Sequence, residues 1–85
     1  MKMQIVAIRD RAVDTYGRPS FVPSLGHAIR SFGDELNRAG QDSPMNQHPE
    51  DYDLFHLGEY DDQDGTFTTI KPKQIAIGKD LYKGE

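Results

Sequence analysis

The sequence predicts an α+β fold: a single small domain with one amphipathic helix packed on a mostly antiparallel sheet of three to four strands, in β-α-β-β order. Three observations predict it. A β-branched run lies near the N-terminus, five apolar residues at helical spacing follow from Leu25, and two strand-like segments flank the acidic turn "DDQDG". At 85 residues and 35% hydrophobic content the chain has material for one core, which leaves it marginal alone and predicts a homo-oligomer, a dimer in the first instance.

Each element has its own signal. In "KMQIVAIR" the residues Ile5, Val6 and Ile8 are β-branched, and nearly continuous apolar character favours a central strand. From Arg9 to Pro23 no periodicity survives, and Gly17, Pro19 and Pro23 mark a loop with room for a short extended piece at Ser20 to Val22. Ser24 then supplies an N-cap, and Leu25, Ala28, Ile29, Phe32 and Leu36 fall within an arc of about 100°, the width of a stripe packed on a sheet. Gly40 is the expected stop. After the polar loop "QDSPMNQHPED", "YDLFHLGEY" alternates, with Tyr52, Leu54, His56, Gly58 and Tyr60 on one side and Asp53, Phe55, Leu57 and Glu59 on the other. "TFTTI" returns from the turn, Pro72 ends it, and Gln74 to Ile77 forms a short edge strand. The domain spans 1–78, and 79–85 forms a frayed, lysine-bearing tail.

Charge is segregated along the chain. Residues 1–40 carry six basic and four acidic groups, residues 41–70 carry eight acids with neither lysine nor arginine, and the net charge is −4. All five arginines lie in the first half, and arginine is the side chain suited to bidentate phosphate contacts. With no cysteine the chain has neither a disulfide framework nor a thiolate metal site. The start "MKMQIVAIRD" has too short an apolar run for a secretory signal, and no stretch reaches the roughly 18 apolar residues of a membrane span. A cytoplasmic protein with no membrane partner is the expectation.

Catalytic and metal patterns fail on inspection. Aligning Asp62, Asp64 and Gly65 with the third, fifth and sixth positions of a calcium loop puts Lys71 where a bidentate glutamate belongs. His27, His48 and His56 lack zinc spacing, and the chain has no nucleophile elbow, phosphate loop or dinucleotide fingerprint. No cofactor, no metal and no enzymatic activity are expected.

The binding candidates are Arg9, Arg11, Tyr16, Arg18 and Phe21 in the first loop, with Arg30 and Arg38 on the helix. Arginine interleaved with aromatic rings suits single-stranded nucleic acid, because guanidinium meets phosphate and the ring stacks on bases without sequence preference. The same residues admit a plainer account. Phe21 can anchor the core, the loop arginines can be solvated, and Arg30, Asp34 and Arg38 can form an exposed i, i+4 ladder. The acidic segment 42–64 is a solvated face, a surface that repels nucleic acid, or a site for a basic partner protein.

Taken in order, "AIRD", "RPSFVPSLGHAIRSFGDELNR" and "HPEDYDLFHLGEYDDQDGTF" resemble the small nonstructural protein of gokushoviruses, single-stranded DNA bacteriophages of the microvirus family. The resemblance covers roughly Met1 to Pro72 and rests on the ordered set: Arg9-Asp10, Ala28-x-Arg30-x-Phe32, His48-Pro49-Glu50-Asp51 and Leu57-Gly58-x-x-Asp61. It implies a non-enzymatic protein of the host cytoplasm, absent from the mature capsid and often described as DNA-binding. By analogy with the corresponding protein of related microviruses, it would help turn genome synthesis toward packaging. Its partners would be single-stranded DNA and viral replication or procapsid proteins. The acidic net charge confines any DNA contact to one arginine-bearing face.

Overall fold

The computed structural model describes residues 1–38 and 44–83. Five strands form one antiparallel sheet that curls into a half-barrel. They are β1 (Lys2–Asp10), β2 (Thr15–Tyr16), β3 (Ser20–Val22), β4 (Tyr52–Asp61) and β5 (Thr66–Ile77). Helix α1 (Leu25–Leu36) follows β3, α2 (Pro44–Gln47) and a 3-10 turn (Pro49–Asp51) precede β4, and α3 (Gly78–Leu81) follows β5. The order across the sheet is β2-β1-β4-β5, with β3 also paired to β1, so β1 is central as its apolar run predicts.

The sheet is larger than the three to four strands expected. β3 is the extended piece expected at Ser20 to Val22, while β2 has only two residues, too few for any periodicity; both pair with β1. At the other end β5 runs straight past Pro72, so the expected edge strand at Gln74 is its continuation. Proline is tolerated there because β5 is an edge strand and the pairing skips: Gly58 faces Thr69, the next pair is His56 with Lys73, and Ile70 to Pro72 bulge outward.

A second irregularity shapes the sheet. β1 pairs Ile5 with Gly58 and Val6 with His56, so Leu57 is an extra residue in β4. Gly58 has φ +150°, and a Cβ there would run into the Thr68 carbonyl oxygen. The glycine thus permits both the bulge and the close approach of β5.

The core lies between α1 and one sheet face, where Val6, Ala28, Phe32, Leu36 and Leu54 are buried. Ser24 caps α1 as predicted, its Oγ accepting from the His27 N–H at 3.1 Å. The helix stops at Leu36; the stop expected at Gly40 lies outside the described residues. Asn37 forms the cap, its Nδ2 donating to the carbonyls of Gly33 (2.8 Å) and Leu81 (3.0 Å), while its Oδ1 accepts from the Lys83 N–H. Leu81 closes the α3 turn, and Leu81 and Tyr82 pack against the core. The turn sits close because Gly78 meets the carbonyls of Pro49 and Tyr52, where a Cβ would collide.

Candidate nucleic-acid interface

The helices pack through one face of the sheet, since Met45, Leu81 and Tyr82 join the same core as α1. Register assigns the opposite face. Ile5, Ala7 and Arg9 of β1 stand across from Gly58, Phe55 and Asp53 of β4, with Phe21 beside Ile5 and Tyr16 beside Arg9. Tyr60 faces Met3 and Phe67 faces Tyr60, so five rings share this face.

The rings form two groups. At the end near the β1–β2 turn, Tyr16 meets Phe55 edge-on, with centroids 5.3 Å apart and planes at 77°. The Arg9 guanidinium lies over the Tyr16 ring, 5.7 Å from its centroid. At the other end Phe21, Tyr60 and Phe67 form a triangle with centroid separations of 5.6, 4.9 and 6.2 Å. Buried Ile5, Ala7 and Phe55 lie on this face with them, yet Tyr16, Phe21 and Phe67 remain 43%, 44% and 59% exposed. Phe21, for which a core role was one expectation, is therefore a surface ring, because β3 pairs with the outer edge of β1 and directs it away from α1.

The arginines near the first group are occupied. Arg9 pairs with Asp14, and that hydrogen bond holds its guanidinium pKa above the ordinary value. Arg11 Nε lies 3.2 Å from Asp53 Oδ2, and its terminal nitrogen donates to the Glu50 carbonyl. Asp53 is only 2% exposed, and neither its Oδ1 nor Arg9 Nε has a hydrogen-bond partner within the described protein.

The remaining candidates lie elsewhere. Arg18 lines a cleft of about 270 Å³ between α1 and the sheet, with Ser20, Ser31 and Glu35, on the helix side. Arg30 is exposed on α1, and Arg38 pairs with Glu35 at 2.9 Å rather than completing an i, i+4 ladder with Asp34. The fold thus brings Arg9, Arg11 and Tyr16 together, sets Phe21 on the same face at its far end, and places Arg18, Arg30 and Arg38 away from it. Sequence reasoning missed Phe55, Tyr60 and Phe67 as members of the set. Strict alternation put Phe55 and Tyr60 on opposite sides, and the Leu57 bulge returns them to one; Gly58 inside a strand was the available signal.

The far end of this face is acidic. Asp61 ends β4 and the turn after it carries Asp62 and Asp64; Asp62 binds the N-terminal ammonium at 2.8 Å, and Thr66 Oγ1 donates to Asp64 at 2.7 Å, which lowers the Asp64 pKa. Among the described residues, His48, Glu50 and Asp51 could hold a cation, their ligand atoms lying within 4.8 Å of one another. They sit on the surface of the 3-10 turn, and no second feature directs a ligand to them.

Fold and site together define a small α+β domain that covers one face of a curled sheet with helices and leaves aromatic rings on the other. The chain belongs to the phage ORF5 protein family, whose profile matches residues 3–81. No curated protein sequence and no solved structure matches it.

Proposed function

We propose that this phage protein is a nonstructural protein of the gokushovirus group that binds single-stranded DNA weakly, without sequence preference and without catalysis, on the open face of its sheet. The observation that carries this reading is the ring-bearing face, with Tyr16, Phe21 and Phe67 exposed beside Phe55 and Tyr60. Every base has a π face, so a row of rings accepts a strand of any sequence. In the host cytoplasm such contact would link genome replication to packaging, through viral replication or procapsid proteins.

A second reading, a protein adaptor without DNA affinity, draws on the internal pairing of Arg9 and Arg11. Fluorescence anisotropy with a labelled oligothymidylate at low and physiological salt separates the two. Binding at low salt is expected, with Tyr16→Ala weakening it by about 5- to 150-fold, the equivalent of roughly 1–3 kcal/mol of stacking per base. Absence of binding at low salt would sink the DNA reading and leave the adaptor.

A further inference from the structure

β5 is the terminal strand of the sheet, and residues 66–74 are all exposed. Sheets guard such edges with charge, proline and bulges, and in β5 the three coincide at Ile70 to Lys73, with a further register shift at Ile75. The preceding stretch, Thr66-Phe67-Thr68-Thr69, has no charge and no proline, and among the described residues no strand pairs with its outer side. Phe67, the most exposed ring of the open face, stands on it.

We propose that this stretch is a self-pairing edge, on which a second copy of the chain docks antiparallel about a two-fold axis at Thr68. The chemistry is self-complementary. Thr68 would face Thr68 of the second copy, Phe67 would face Thr69, and no like charges would oppose one another within the pairing. The same register carries the acidic turn, with Asp62 and Asp64, toward Lys71 and Lys73 of the second copy, so the segregated charges attract across the axis. A two-fold axis perpendicular to the sheet keeps both open faces on one side, so the rings of two copies form one continuous platform. The association depends on the edge alone and is measured without DNA, so its failure and that of the DNA reading are separate results.

Sedimentation velocity across the micromolar range tests it, with two variants. The wild-type mass should rise with concentration toward two copies. Thr68→Cys should form a reducible covalent dimer in air, because facing residues in an antiparallel pair have Cα atoms about 4.5–5.5 Å apart, within disulfide reach. The protein has no other cysteine to confuse the readout, and Val13→Cys, exposed on the β1–β2 turn, should stay uncrosslinked. Thr68→Lys should raise the dissociation constant at least about tenfold by setting two ammonium groups against each other. Should that variant misfold, the cysteine experiment still decides. A wild type that stays monomeric throughout, or a dimer that Thr68→Cys fails to crosslink, overturns the proposal.

Discussion

Replacing Asp14 by asparagine asks whether Arg9 faces DNA. The two side chains form an ion pair on the surface of the β1–β2 turn, and Arg9 also stacks on Tyr16, so its charge lies on the ring face but is matched by a carboxylate. Asparagine is the right substitute because Asp14 has φ 58°, a left-handed conformation that asparagine tolerates and alanine does not. The turn also keeps its other hydrogen bond, from the Ala12 N–H to Asp10. Freeing one guanidinium adds one phosphate contact, which steepens the slope of log affinity against log salt by about 0.7 for a single strand. Between 50 and 200 mM salt, that slope costs the variant roughly 2.5-fold more affinity than the wild type loses. At low salt the variant should bind more tightly, because the charge is no longer neutralised. Anisotropy titrations at four or five salt concentrations measure both quantities. An unchanged slope with unchanged low-salt affinity would show that Arg9 does not meet the strand, and the reasoning that places DNA on this face would lose its nearest cation.

Two further outcomes test the scaffold beneath the site. Gly58→Ala should destabilise the fold by roughly 1–3 kcal/mol, because φ is +150° and the added Cβ meets the Thr68 carbonyl; a urea midpoint equal to wild type would show that the bulge relaxes freely. The Tyr52 phenol has its pKa raised above 10, first by burial and then by the neighbouring Asp10 carboxylate. A raised acid is held protonated by the fold, so its contribution is complete below the unfolded value of 10 and is lost as pH rises through the folded one. Denaturation midpoints compared between pH 8 and 11 should fall in the wild type by more than in Tyr52→Phe, and parallel curves would contradict this.

The elements legible from sequence are those that carry their own reason to form. β1 has a β-branched run, α1 has a cap and a complete apolar stripe, and the β4–β5 hairpin has its acidic turn with Gly65 at φ 73°. β3 was legible as the extended piece at Ser20 to Val22, whereas β2 and α3 have no such internal signal, and all three are held by partners distant in sequence. Gly17 donates to the Ile8 carbonyl, Val22 pairs with Gln4, and Leu81 is tied to Asn37. The candidate site was half legible for the same reason. Tyr16 and Arg9 are found together because a short turn joins their strands, whereas Phe55, Tyr60 and Phe67 become neighbours of the first loop only once the Leu57 bulge restores the phase of β4. Arg18 shows the converse. It is two residues from Tyr16 in sequence, yet it lines the helix-side cleft, because residues 17–19 lie between β2 and β3, where strand alternation does not set a side chain's face.

Charge and rings therefore divide the work differently than composition suggests. Asp53 is a nearly fully buried carboxylate on a strand, and a buried charge left without its partner is costly, so Arg11 is committed to the fold by the Asp53 contact and the Glu50 carbonyl. Arg9 is held less tightly, by an exposed aspartate. Arg18, Arg30 and Arg38 are not on the ring-bearing face. One releasable arginine is then the local supply of phosphate contacts from the candidates, and the salt slope for a single strand should be shallow, about 0.7 per phosphate neutralised. On the proposed single-strand reading, affinity on this face would come chiefly from stacking, which grows with the number of rings a strand can span. That is how a chain of net charge −4 could hold single-stranded DNA without condensing it. It also gives pairing of two β5 edges a functional consequence, since a continuous platform would lengthen the ring row while adding no positive charge to either face.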